Sequence, residues 1–215
     1  MHSLVVKWSA PDRQLGVRFL LRPFFNPMTR DHFKFRKENQ LKKSDKSLKQ
    51  SWDKKITNLC NKINSLDNYY TTSSCSGRIV LIINSKEKRD DLFIKVWHNK
   101  ITFKELKQTL DQINQDKLIY FKQDPVIIHI ACKTLENAQD LINTAMKAGW
   151  KRNGIITSNK RFVVELNATG KLEFPIYKNK ILVNDDFLEL ITKEANKKLE
   201  MSWECIEKLT NTLPR

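Results

Sequence analysis

The sequence predicts an α+β protein, a single compact domain with a mixed β-sheet flanked by helices, and not a Rossmann-type fold. Three observations carry this expectation. Apolar spacing changes along the chain in the order helices, strands, helix, strands, helix, strands, helix, which is no regular βαβ alternation. Only 5 glycines occur in 215 residues, and none builds a GxGxxG turn or a phosphate loop. No internal repeat or low-complexity linker divides the chain, whose length suffices to bury a substantial core.

The elements follow in order. Residues 1–28 hold three of the 6 prolines and only short apolar pieces, too interrupted for a secretory signal. They read as a disordered extension, or one supplied by a wrong start site, with Met28 opening the functional chain and 29–215 forming its domain. Residues 29–43 are rich in helix formers, with Thr29 as a cap. Over 51–66, Trp52, Ile56, Leu59, Cys60, Ile63 and Leu66 form a helical stripe, which makes Cys60 a core residue. "RIVLII" (78–83) and "LFIKVW" (92–97) read as the arms of a hairpin joined by the charged "KEKRD". Phe103, Leu106, Leu110 and Ile113 mark another helix, and "KLIYFK" and "PVIIHIAC" are strands on either side of Asp124-Pro125.

The clearest helix places Leu135, Ala138, Leu141, Ile142, Ala145 and Met146 on one face and ends at Gly149. "GIITS", "RFVVEL" and "KLEFPI" then read as a three-strand meander, with "ATGK" as one turn. A long final helix carries Phe187, Leu188, Ile191, Ala195, Leu199, Ile206 and Leu209 on its apolar side.

Charge narrows the partner. With 39 Lys plus Arg against 24 Asp plus Glu the net charge is +15, a one-sided excess that favours a polyanion, nucleic acid first, over a merely solvated surface. Residues 29–62 alone hold eleven basic and four acidic side chains. The 4 cysteines form no CxxC pair and the 4 histidines are scattered, so no metal site is expected. Reduced thiols and the lack of a run of about 20 apolar residues point to a cytoplasmic protein without a membrane anchor.

The unusual stretch is "YYTTSSCSGRIVLIIN" (69–84). Six small residues in a row, then Gly77 and Arg78, offer backbone N–H groups, hydroxyls, a thiol and a bidentate cation, which together can wrap a carboxylate or phosphate. The plainer reading is a polar turn, but a turn needs fewer residues, so a ligand-contact loop is favoured. Upstream, "KKSDKSLKQSWD" mixes Asp45 and Asp53 with Lys43, Lys46 and Lys49; a helix cap at Asp45 or Ser47 is favoured there over a proton acceptor. His129 in "VIIHIAC" is more often a packed core histidine than a catalyst. "KRNGIITSNKR", with Trp150 beside it as a stacking platform, serves equally as an RNA-tracking cluster or a solvated hairpin.

At "YYTTSSCSGRI" the chain resembles the tRNA wybutosine-synthesizing protein 3 family, marked by an aromatic–T-T-S-S-C-[SA]-G-R-[IL] run. "KSDKSLK" with Asp53, then Asn64 and Asp67, "VIIHIACKTLENAQ", "AGWKRNGI", "NKR", "LEFPI" and "EANKKLE" follow in the family's order, so the likeness runs from about Lys34 to Leu209. Stand-alone chains of this kind are typical of archaea.

The resemblance implies a non-Rossmann enzyme that uses S-adenosyl-L-methionine to methylate N-4 of a wyosine-type base derived from guanosine 37 of tRNA-Phe. On that basis Ser73, Ser74, Cys75, Ser76, Gly77, Arg78 and His129 are assigned to the cofactor and base pocket. Asp45 and Ser74 are the candidate catalytic groups. Lys42, Lys43, Lys46, Lys49, Lys160 and Arg161 are expected to bind the anticodon arm, and protein partners are not specified. Cys75 is assigned contact rather than covalent attack, because nitrogen methylation needs no enzyme nucleophile. The rival is a non-catalytic RNA-binding module whose serine-rich loop grips phosphate; a nucleotide-binding kinase is disfavoured by the missing phosphate loop.

Overall fold

A computed structural model describes residues 30–42, 53–85, 92–159 and 161–214. The expected Asp45, Lys43, Lys46, Lys49, Lys160 and the first 28 residues lie outside them. Five helices are described: α1 (Arg30–Leu41), α2 (Lys54–Ser65), α3 (Phe103–Asp111), α4 (Leu135–Lys147) and α5 (Asp185–Thr212). The strands are β1 (Tyr69–Cys75), β2 (Arg78–Ile83), β3 (Phe93–Trp97), β4 (Ile119–Asp124), β5 (Ile127–Cys132), β6 (Arg152–Thr157), β7 (Phe162–Asn167), β8 (Leu172–Lys178) and β9 (Lys180–Ile181).

The α+β class stands, but the sheet is not one mixed sheet. There are two, ordered β1-β5-β7-β6 and β3-β2-β4-β8-β9, and every pairing among the described residues is antiparallel. Three nearly continuous strands pass from one sheet to the other, β1 into β2, β4 into β5 and β7 into β8. Cys75 faces Ile127 and Arg78 faces Asp124, so one register persists across the first break. The breaks fall at Ser76-Gly77, at Pro125, which lacks the N–H a ladder needs, and around Gly170.

This bend overturns the predicted meander. β6 and β7 do pair, but β8 crosses over to lie against β4 and leaves β7 with β5. Hydrophobic periodicity reports a strand's buried face and not its neighbour, so the crossing is invisible in "RFVVEL" and "KLEFPI".

Each sheet buries one face against its own helices. Ile56, Leu59 and Ile63 of α2 and Ala138, Leu141 and Ala145 of α4 cover the first sheet, over Ile128, Ile130, Val164 and Leu166. Leu106 and Leu110 of α3 cover the second, over Ile79, Leu81, Ile119 and Phe121. The 28-residue α5, about 42 Å long, serves both: Leu188, Ile191, Ala195 and Leu199 join the second core, Ile206 and Leu209 the first. The cross-strand pair Phe121–Phe174 stacks with centroids 5.5 Å apart.

Local signals set the helix ends. Thr102 and Glu105 form a reciprocal capping box on α3, and Thr134 and Asn184 cap α4 and α5 through their side chains. After α4, Gly149 takes φ +96°, Trp150 N donates to Ala145 O and Gly149 N to Met146 O, the paired bonds of a Schellman stop. Leu135 and Met146, expected on the buried face of α4, are exposed at its two ends. Trp150 is no stacking platform: it is fully buried, and its indole N–H donates to Cys205 O.

Candidate active site at the bend between the sheets

The small-residue stretch is mostly strand rather than loop. β1 is an edge of the first sheet, hydrogen-bonded only to β5 among the described residues, with an irregularity between Thr71 and Ser73. Strand alternation sends its short side chains to two sides. Ser74 meets Cys60 Sγ of α2 at 3.6 Å, while Ser73 Oγ meets His129 Nδ1 at 2.8 Å on the other face. Asn64 of α2 anchors the strand's start, accepting from Thr71 N at 2.8 Å.

Where β1 gives way to β2 the chain turns through Ser76 and Gly77. Gly77 holds φ +99°, and a Cβ there would stand 3.1 Å from Leu199 Cδ2 and 3.2 Å from Asp124 O. Only glycine fits both the conformation and the gap. This packing turns fully buried Ser76 toward the start of α2, where its hydroxyl donates to Asp53 Oδ2 at 2.8 Å.

Asp53 precedes α2 as its N-cap residue but makes no side-chain cap bond. Its Oδ2 also accepts from His98 Nδ1 at 2.8 Å; His98 is the first residue after β3. Asp53, Cys75 and His98 bring ligand-type atoms within 4.8 Å of one another. The side chains of His98 and Asp53 are 20 % and 15 % exposed, so the cluster is sheltered yet reachable.

The pair is ionised on physical grounds. Hydrogen bonding to Asp53, then to Cys75, pushes His98 up to about 9, with burial opposing and the Asp53 charge adding to the rise. Burial alone would raise the Asp53 carboxyl, but the bonds from His98 and Ser76 and the imidazolium charge outweigh it and hold the group below its ordinary value. The result is an imidazolium–carboxylate pair beside a thiol and a run of hydroxyls. A carboxylate, an imidazole and a thiol this close also make the donor set of a three-ligand zinc site.

Other assigned residues lie around this cluster. Arg78 does not point freely: Nε donates to Asp124 Oδ2 at 3.1 Å and the guanidinium lies 5.2 Å from the Phe93 ring centroid. His129 Nε2 donates to Glu165 Oε2 at 2.7 Å, and Nδ1 lies 2.8 Å from Ser73 Oγ, so the ring bridges β1 and β7. Lys42 is exposed just beyond α1, and Arg161 reaches Tyr70 Oη at 3.4 Å. Arg161 thus sits at the end of β1 that Phe33 of α1 covers, its ring 5.2 Å from that of Tyr70, while Lys42 lies past the opposite end of α1. In the sequence reading His98 is passed over among scattered histidines, and Asp53 is noted as one carboxylate among cations and as part of the family resemblance but given no role in the site. The signals were their places, Asp53 directly before a helix and His98 directly after a strand.

Comparison with known proteins places the chain as a whole. A family model described as Methyltransferase TYW3 matches residues 34–215. A Thermococcus sibiricus protein named tRNA(Phe) 7-((3-amino-3-carboxypropyl)-4-demethylwyosine(37)-N(4))-methyltransferase is 33% identical over 189 residues, 86% of this chain and 95% of its own. A Danio rerio tRNA wybutosine-synthesizing protein 3 homolog is 32% identical over 86% of this chain and 76% of its own. Among solved structures, PH1069 of Pyrococcus horikoshii superposes with a TM-score of 0.78 at 29% identity, covering 87% of this chain and 96% of that one.

Proposed function

The chain belongs to the Methyltransferase TYW3 family, and from that premise we propose that it methylates N-4 of a wyosine-type base at position 37 of tRNA-Phe with S-adenosylmethionine as donor. It is a tRNA-modifying methyltransferase. The observation that carries the site is the Asp53–Cys75–Ser76–His98 cluster, where the small-residue stretch meets the start of α2 and the end of β3 at the bend.

The residues fit the donor. His98 supplies a cation for a carboxylate and Cys75 a soft contact for sulfur, with Asp53 left to face the base. The donor, when bound, supplies an activated methyl group on sulfonium sulfur. The chain's own work is to hold the base in line, exclude water and manage one proton. Within the described cluster no strong base is present, since His98 is protonated at neutral pH and Asp53 is a depressed carboxylate. None is needed: methylation makes the ring cationic and its remaining ring proton acidic, so a carboxylate suffices to take it. Asp53 Oδ2 is engaged by Ser76 and His98, which leaves Oδ1 as the accepting atom. The same carboxylate stabilises the positive charge as it spreads onto the ring.

Ser73, Ser74, Gly77, Arg78 and His129 shape the pocket around this cluster in our reading. Lys42 and Arg161, with Lys43, Lys46, Lys49 and Lys160, supply phosphate contacts to the anticodon arm. Isothermal titration with S-adenosylmethionine, with and without tRNA-Phe, tests the proposal. Binding is expected, and its absence under both conditions favours the non-catalytic RNA-binding module.

A further inference from the structure

The first sheet's second face is covered at one end by α1, where Phe33 packs on Tyr70, Ala131 and Val163, and past that contact it carries a second polar constellation beside the Asp53 cluster. Directly paired residues share a face. Ser73, His129, Glu165 and Gly154 therefore form one row across β1, β5, β7 and β6. Cys75, Ile127, Asn167 and Arg152 form the next row on the same side. The alternate residues Ile128, Val164 and Leu166 are the ones buried in the core.

Three groups on this face lack partners among the described residues. Glu165 gives Oε2 to His129 and has no bond to its other oxygen. Asn167 Oδ1 is buried with no donor. Arg152 is exposed and makes neither a hydrogen bond nor an ion pair there. Between them Gly154 leaves a notch, since a Cβ on it would meet nothing within 4 Å. A free carboxylate oxygen and an orphan amide oxygen face an ammonium; a free guanidinium a few ångströms away faces a carboxylate. That is the recognition chemistry of an α-amino-acid group.

We propose that this notch binds the 3-amino-3-carboxypropyl arm of the substrate base, with Glu165 and Asn167 on its ammonium and Arg152 on its carboxylate. The proposal rests on the methyl-transfer reading above. The methionine end of the donor has the same chemistry, and distance separates the two. One row along and two strands across puts Glu165 about 12 Å from Cys75. The methionine chain extends only about 5 Å from its sulfur. The fused rings and propyl arm of the base span about 10 Å from the methylated nitrogen. The arm reaches the notch, and the donor's methionine does not.

The test is steady-state methylation of two tRNA-Phe preparations, one whose demethylated wyosine base bears the arm and one whose base lacks it. The wild-type chain should prefer the armed base by about tenfold to a hundredfold in kcat/KM, the worth of one or two charge-assisted bonds. Arg152→Ala, Glu165→Gln and Gly154→Phe should each remove most of that preference, with KM for S-adenosylmethionine unchanged. Gly154→Phe fills the notch without touching a charge, and circular dichroism melting should show all three variants folded. A donor KM that rises equally on both tRNAs would place the methionine end in the notch and overturn the proposal. Variants that keep the preference, or a wild-type chain that shows none, also overturn it while leaving the functional reading standing. A folded wild-type chain that methylates neither tRNA overturns both.

Discussion

Asp53→Asn tests the ion pair at the heart of the site. With the amide oxygen in the place of Oδ2, Ser76 and His98 can both still donate to it, so shape and hydrogen bonding persist while the charge goes. His98, held at about 9 by Asp53 and secondarily by Cys75, should fall back toward its ordinary 6.5. That difference is worth about 3 kcal/mol if fully felt. With side chains 20 % and 15 % exposed, solvent screening reduces it to about 1–2 kcal/mol. A raised imidazole contributes fully below 6.5 and its contribution is lost as pH rises through about 9. The lowered Asp53 contributes above its ordinary 3.8 and is lost as pH falls through its native value. The stability gap between wild type and variant should therefore be full between about pH 4 and 6.5, narrow toward pH 9 and nearly vanish at pH 10. Urea melts across that range measure the gap, and NMR titration of the His98 ring follows its protonation. A gap flat from pH 6 to 10, or a wild-type His98 titrating below 7, would refute the ion pair.

Other perturbations isolate the parts around it. Gly77→Ala places a Cβ at φ +99° within 3.1 Å of Leu199 Cδ2, and should cost about 2–3 kcal/mol, read as a lower melting temperature. Gln123 is fully buried with both amide atoms unpartnered among the described residues. Gln123→Met should raise stability by about 1 kcal/mol; a loss of similar size would show that a bound water serves the amide. Burial pushes the Cys60 thiol up to about 11 and the Cys132 thiol up to about 12. Both should resist iodoacetamide at neutral pH until the chain unfolds, as peptide mass mapping would show.

The helices and strands were legible because each carries a periodic apolar face and a recognisable end signal, such as Thr102 with Glu105 or Gly149 after Lys147. The bend was not. It depends on which strand β8 pairs with, a long-range choice that "KLEFPI" does not encode by itself. The same holds within the site. Ser76 and Gly77 stood out as a run of small residues, but Asp53, which Ser76 meets, and His98, which meets Asp53, lie 23 and 22 positions from Ser76 in sequence and come together only through the packing of α2 and β3. Open-face residues such as Glu165 and Arg152 looked like ordinary polar alternation, because period two tells a face apart but not what covers it. Trp150 shows the converse error: an aromatic beside basic residues read as an RNA platform, while its place one residue past a helix stop drew it into the core.

The most direct measurement is mass analysis of nucleoside 37 from tRNA-Phe carrying the demethylated wyosine base, after incubation with the chain and S-adenosylmethionine. The account predicts one added methyl group, located at N-4, formed only when the donor is present and lost in Asp53→Asn. An unchanged nucleoside from a folded, tRNA-bound chain, or a methyl group on another atom, would contradict it.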